Sequence, residues 1–466
     1  MRRHNCACRI HPMQMDTSIF KAYDIRGVYP AQLDENAAYR IGWGFSRCGI
    51  LPADKMLVVG RDMRESSDAL FEAFAAGACD DGHDVIDIGL STTPMLYFAV
   101  NELAAAGGAM ITASHNPGEY NGFKLVVRGA IPIGSDSGLK EIKQQALSAP
   151  ARRKDGPVPI IHRRDIGESY ARFFSQRFSI ELSKPLIIDT GNGITGPVLR
   201  RVLRDQAIDY RELFFEPDGR FPNHEANPLK EGTLSQLKEA IAETPHSIGA
   251  AFDGDGDRVC FVDENGHVVR GDLLCALLAR RLLEENGPAD ILYDLRSSRI
   301  VPEVIHAFGG EPVKTRVGHA FVKQIMRERQ ALFGGELSYH FYFRDFFHCE
   351  SGILAMLHVC RLLAETGQDL SELVAPFRKY SHSGEVNFQV SDTASVLRML
   401  EEDFADGGVS YLDGLSIDYD EWWFNVRPSN TEPLLRLNLE ANTPHLMQEK
   451  LDLITQRIEC KREGDR

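Results

Sequence analysis

A short apolar run that ends in Asp or Gly and leads into an amphipathic stretch occurs three times along the 466 residues. It appears as Met56-Leu57-Val58-Val59-Gly60-Arg61-Asp62 before residues 67–79, as Leu186-Ile187-Ile188-Asp189 before 197–203, and as Ile291-Leu292-Tyr293-Asp294 before 300–308. A strand made of consecutive apolar residues needs cover on both faces, and flanking helices supply it, so the alternation specifies βαβ units. Recurrence at intervals of roughly 100–130 residues predicts three similar α/β domains with mixed or largely parallel sheets. Beyond 379–384 the rhythm changes. Alternating strands read at 385–390, 415–419, 422–426 and 434–439, with helices at 394–404 and 445–458, predict a C-terminal α+β domain.

Boundaries fall where the composition loosens. The Pro- and charge-rich stretch 149–157 and the turn Asp263-Glu264-Asn265-Gly266 suggest a ragged, disordered extension at 1–15 and α/β domains at 16–156, 157–262 and 263–378. The α+β domain follows at 379–466. The opening MRRHNCACRIHPMQM has an Arg pair but not the apolar segment of a secretory signal. No apolar run approaches the ~20 residues that cross a bilayer. Nine scattered cysteines show neither zinc nor disulfide spacing, so a reducing cytoplasm is expected. With 52 Lys and Arg against 67 Asp and Glu, the net charge of −15 disfavours nucleic acid and anionic membranes as partners. An anionic ligand would need basic groups gathered locally against that field.

Four polar loops carry the chemistry. In Thr112-Ala113-Ser114-His115-Asn116-Pro117, a Ser flanked by His and Asn on a loop stopped by Pro suits an exposed nucleophile, with Lys124 ten residues on to supply charge or a proton. A capped turn is the bland alternative. In Asp253-Gly254-Asp255-Gly256-Asp257-Arg258, three carboxylates at alternate positions can converge on one hard cation, with Mg²⁺ favoured over Ca²⁺. An EF-hand loop is disfavoured because Arg258 stands at its obligatory Gly and the flanks look like strands. Arg427-Pro428-Ser429-Asn430-Thr431 offers a guanidinium fork and several donors to a dianion, or else forms a plain turn. In Gly335-Glu336-Leu337-Ser338, a carboxylate and a hydroxyl side by side suit vicinal sugar hydroxyls, with His340 beyond. Arg316-Val317-Gly318-His319 and Asp24-Ile25-Arg26-Gly27 add basic groups on Gly-containing loops, and one loop per domain could wall a single central cleft.

Taken together, these motifs resemble the α-D-phosphohexomutase superfamily, in register and in its domain order from about Phe20 to the C-terminus. The runs 20–27 and 340–346 look most like its phosphomannomutase branch, which serves GDP-mannose synthesis. The resemblance implies interconversion of mannose 1-phosphate and mannose 6-phosphate through a phosphoserine enzyme. It also implies Mg²⁺ and a hexose 1,6-bisphosphate, which is intermediate and activator. Ser114 would bear the phosphate; Asp253, Asp255 and Asp257 would hold the ion with it. Arg26, Lys124, His115, His319 and His340 would lie near the transferring group. Arg258, Arg296, Gly318, Glu336 and Ser338 would line the sugar, and Arg427, Ser429, Asn430 and Thr431 would hold the non-reacting phosphate. Arg296 stands where many members carry Lys, and Leu337 where many carry Met. A glucose-phosphate or dual-specificity mutase is the nearest alternative; a metal-dependent sugar phosphatase and a non-catalytic sensor are others. The expected state is a cytoplasmic monomer or homodimer acting on small hexose phosphates.

Overall fold

The computed structural model describes residues 15–151, 161–428 and 434–464. The extension read at 1–15, apart from Met15, and the linker from 152 onward lie outside the described residues, as do Ser429, Asn430 and Thr431. Four sheets follow one another along the chain, and the first three repeat one plan.

In the first sheet, Asp84–Leu90, Met56–Arg61 and Gly107–Ile111 run parallel, Tyr120–Val127 turns back antiparallel on Gly107–Ile111, and Ile25–Val28 pairs with it. The second sheet places Ala207–Leu213, Glu181–Asp189 and Ile248–Phe252 parallel, then Val259–Val262 and Val268–Val269 antiparallel. The third does the same with Glu311–Thr315, Asp290–Asp294, Phe333–Gly335, Phe341–Phe343 and Cys349–Glu350. All three sheets are therefore mixed, not wholly parallel. In each, a hairpin follows the third parallel strand, and its return strand cannot run parallel to it. The short strand Ile161–Arg163 extends the first sheet by pairing with Asp84–Leu90.

The apolar runs of the repeats lie inside their strands: Leu57, Val58, Val59, Ile187, Ile188, Ile291 and Leu292 are fully buried. Each such side chain contributes about 1.5–3 kcal/mol of burial free energy. The helices Ser67–Asp80, Thr195–Leu203 and Ile300–Ala307 cover them where the amphipathic stretches were expected. One continuous core joins the second and third domains to the helix Thr93–Glu102 of the first.

The fourth sheet is wholly antiparallel, in the order Ser381–Phe388, Leu435–Ala441, Trp422–Pro428, Leu415–Asp418, Gly408–Ser410. The helices Thr393–Asp403 and Pro444–Gly464 complete an α+β unit with its own core around Leu400, Phe424, Leu437 and Ile454. Polar anchors fasten it to the third domain. The Arg299 guanidinium donates to the carbonyls of Tyr419 and Asp420, and its backbone N–H donates to Glu440 at 3.0 Å. Among the described residues no helix is long and apolar enough to cross a membrane, and none of the seven cysteines there forms a disulfide.

Candidate active site

The shared plan gives the chemistry its position. The Ser114 loop, the Asp253–Asp257 loop and the Glu336–His340 turn all leave the carboxyl end of the third parallel strand of their sheet and lead into the returning strand. Each repeat thus offers the same hairpin to one cleft.

Ser114 is buried and its backbone is left-handed, with φ +53°. A residue with a side chain holds that conformation only where its surroundings enforce it. Arg64 provides the enforcement. Its guanidinium donates to the carbonyls of Ser114 at 2.9 Å, Asn116 at 2.6 Å, Pro117 at 2.5 Å and Tyr120 at 2.9 Å. Its Nε donates to Asp62 at 3.0 Å, and both side chains are fully buried. The Ser114 hydroxyl donates to Asp253 Oδ2 at 3.0 Å, with His115 Nδ1 at 3.3 Å. Burial and the cations Arg258 and Arg26 push the His115 pKa well below the usual imidazole value, so the ring is neutral. Arg26 is fixed beside the loop by Asn116 at 2.7 Å and Asp24 at 2.6 Å.

The carboxylates of Asp253, Asp255 and Asp257 are buried, and one oxygen of each lies within 4.8 Å of the others. Two glycines make this possible. A Cβ at Gly254 would meet the Ser114 carbonyl at 2.6 Å, and Gly256 has φ +72°. Burial and the charges of Asp257 and Asp255 push the Asp253 pKa well above the carboxylate range. Among the described residues Asp255 Oδ1 is buried without a hydrogen-bond partner, and the buried Asp257 Oδ1 is met by the His340 ring. Such crowding is costly without a cation. Lys124 supplies part of the balance, donating to Asp255 and Asp257 at 2.6 Å each. Burial disfavours its charge, but the two carboxylates outweigh burial and raise its pKa. Lys124 is therefore a fixed ammonium, unsuited to accept a proton. The unpartnered oxygen of Asp255 and an all-oxygen donor set beside Ser114 fit a hard divalent cation.

Glu336 is occupied on both oxygens. It accepts from the Gly318 N–H at 3.1 Å, from His340 Nδ1 at 2.9 Å and from the Tyr342 hydroxyl at 2.6 Å. Burial opposes its charge, yet these donors and Arg296 hold its pKa near 2. Burial and Arg258 oppose protonation of His340, but Asp257 and Glu336 prevail and raise its pKa to about 9. His340 Nε2 lies 3.3 Å from Asp257 Oδ1 and 3.1 Å from Arg258 Nε, which joins the Asp253–Asp257 loop to the Glu336–His340 turn. His319 stacks edge-on against Tyr23, with its ring centre 6.4 Å from that of His340. Arg296 is paired with Asp294 at 2.7 Å and reaches Ser338 at 3.5 Å. Arg427 is nearly buried and faces Glu385 at 3.3 Å. Residues 429–433 beyond it lie outside the described residues, so of that motif only Arg427 and Pro428 are placed.

Comparison with known proteins decides the family. The models for phosphoglucomutase/phosphomannomutase alpha/beta/alpha domains I, II and III match residues 17–153, 168–266 and 270–380, and the C-terminal domain model matches 385–455. The chain belongs to the phosphoglucomutase/phosphomannomutase family. A phosphomannomutase of Methanocaldococcus jannaschii is 41% identical over 445 residues, 94% of this chain and 97% of that protein. A phosphomannomutase of Escherichia coli is 38% identical over 436 residues, 91% of this chain and 94% of that one. A solved phosphoglucomutase/phosphomannomutase family protein from Burkholderia thailandensis superposes with TM-score 0.85 at 31% identity, covering 95% and 97% of the two chains.

Several residues that position this phosphohexomutase's site escape a reading of motifs. Arg64 is one. Thr93 is another, donating through its hydroxyl to Asp255 Oδ2 at 2.5 Å and through its N–H to the Asp255 carbonyl at 3.0 Å. Behind His319, the fully buried Lys323 donates to Glu350 at 2.9 Å and to the Tyr97 hydroxyl at 3.1 Å. A charged residue inside an apolar helix pattern, as Lys323 is within residues 319–329, was the available signal.

Proposed function

We infer that the chain is a phosphomannomutase, an isomerase that interconverts mannose 1-phosphate and mannose 6-phosphate. The observation that carries this reading is the Ser114 hydroxyl, held in a strained loop against a buried carboxylate triad. The names of relatives at 38–41% identity over nearly the whole chain support mannose phosphate as substrate. The family description also names phosphoglucomutase, so the glucose pair is the second substrate to test.

In this reading Asp253, Asp255 and Asp257 hold Mg²⁺, which when bound supplies positive charge against the charge developing on the transferring phosphoryl group. Ser114 carries the phosphoryl group. The free sugar hydroxyl attacks phosphorus, the bond to Ser114 Oγ breaks, and the hydroxyl proton ends on Ser114 Oγ, leaving a hexose 1,6-bisphosphate. The protonated His340, held by Asp257 and Glu336, lends its charge to the transferring group. That bisphosphate reorients, its other phosphate returns to Ser114, and the isomerised monophosphate leaves. Lys124 and Arg26 stabilise charge by standing ready in place, which is most of what phosphoryl transfer asks of a protein. Arg258, Arg296, Gly318, His319, Glu336 and Ser338 orient the sugar. Arg427 with Ser429, Asn430 and Thr431 grips the phosphate that is not reacting. A trace of bisphosphate is needed as activator to load Ser114. The setting is a reducing cytoplasm, with small hexose phosphates as partners.

The test is a ³¹P-monitored equilibration of mannose 1-phosphate with Mg²⁺ and a trace of hexose 1,6-bisphosphate, repeated with glucose 1-phosphate. The 6-phosphate should accumulate without release of inorganic phosphate, and a chelator should stop it until Mg²⁺ is restored. Continuous release of phosphate would make the protein a phosphatase, and chelator-insensitive turnover would contradict the metal assignment.

A further inference from the structure

Arg427 and Arg436 are direct cross-strand partners on neighbouring antiparallel strands. Like charges placed opposite one another destabilise a sheet, so the pair needs compensation. It comes from the strand Ser381–Phe388, on the far side of Leu435–Ala441. Glu385 puts Oε2 3.3 Å from Arg427 and Oε1 3.1 Å from Arg436, one oxygen to each guanidinium. Its Oε2 is also 3.7 Å from Arg296 of the third domain. The strand is shaped for this contact. The pairing register shifts between His382 and Glu385, and Gly384 in the shift has φ +70°. A bulge of this kind re-aims the side chain that follows it. Among the described residues the match is nevertheless incomplete, because the Nε of the nearly buried Arg427 has no hydrogen-bond partner there.

We propose that Glu385 is the resident counter-ion of the distal phosphate site, occupying the anion position between Arg427 and Arg436 and limiting how tightly that site grips a phosphate. The inference rests on the reading of Arg427 as part of that site. Its physical basis is a demand of the reaction itself. The bisphosphate must exchange one phosphate for the other at the distal site within each cycle, and tight binding of ground states slows turnover. A carboxylate among the arginines keeps their forks in place between occupants and weakens the hold on each phosphate by like-charge repulsion.

The experiment is calorimetric titration of the full chain with inorganic phosphate at low salt, alongside steady-state kinetics. Glu385→Gln should bind phosphate about tenfold more tightly than wild type, the size expected for removing one half-buried charge after screening. KM for mannose 1-phosphate and kcat should fall together. Glu385→Asp, which withdraws the carboxylate by one methylene, should tighten phosphate binding by a smaller factor and guards against a variant that fails to fold. Unchanged or weaker phosphate binding in a folded variant of either kind, or a raised KM, would overturn the proposal and leave Glu385 a mere support for the arginines. Arg427→Ala separates the two failures. It should weaken phosphate binding and abolish the gain from Glu385→Gln, whereas unaltered phosphate affinity in Arg427→Ala would remove the site reading itself.

Discussion

Arg64 does more to shape the reacting loop than any residue within the Ser114 motif. It converts four backbone carbonyls between Ser114 and Tyr120 into ligands of one guanidinium, and it is paired with the buried Asp62. Arg64→Met would leave Asp62 buried and unpaired, and breaking a fully buried pair from one side costs roughly 3–5 kcal/mol. Urea unfolding should show a loss of that order, and kcat should drop sharply at saturating Mg²⁺ because Ser114 no longer faces Asp253. Arg64→Lys should recover part of the stability but little turnover, since an ammonium cannot serve four carbonyls at once. The contrast with the metal loop explains what a sequence reveals at this scale. Asp253, Asp255 and Asp257 act together and are adjacent in the chain, so their purpose shows in the pattern. Arg64 acts on atoms about fifty residues away, and those atoms are backbone, which carries no residue signature.

At the level of elements, the apolar runs at 56–59, 186–188 and 291–292 marked the central strand of each repeat, because burial on both faces leaves no choice but continuous hydrophobicity. The antiparallel returns were less legible. Cys349–Glu350 and Gly408–Ser410 span only two and three residues, too short for any periodicity, and tertiary pairing alone defines them. One connection between elements carries a pH signature. His224 packs beneath the end of the strand Glu181–Asp189, with Nε2 3.0 Å from Asp189 and Nδ1 2.8 Å from the Glu225 carbonyl. Burial opposes its charge, but with an acceptor on each ring nitrogen the cation wins and the pKa is raised. A raised folded-state pKa means the stabilisation is complete below the ordinary imidazole value near 6.5 and is lost as pH rises through the higher value of the folded protein. The gap in melting temperature between wild type and His224→Gln should therefore be widest near pH 6 and narrow toward about pH 9. A gap that widened with pH would contradict the assignment.

Over the whole molecule, the acidic balance of −15 coexists with a cleft into which Arg26, Lys124, Arg258, Arg296 and Arg427 converge from four domains. Local concentration of positive charge against an opposing global field is what selective capture of a small anion requires. The domains hold this convergence by buried polar ties as well as by core packing. Lys323 and Glu350 of the third domain, both fully buried, meet Tyr97 of the first, and Ser114 of the first meets Asp253 of the second. Such cross-domain pairs were out of reach of sequence patterns, which located each loop within its domain but not its distance from the others. The tendency of ligands to gather at the carboxyl ends of strands suggested one shared cleft, and the geometry supplies the reason each loop can reach it. The most direct measurement is the intact mass of the protein after brief incubation with hexose 1,6-bisphosphate and Mg²⁺, with the modified peptide sequenced. The account predicts an increase of about 80 daltons located on Ser114, absent from an inactive Ser114→Ala variant. A working enzyme that never carries the added phosphoryl group, or a Ser114→Ala variant that turns over normally, would contradict it.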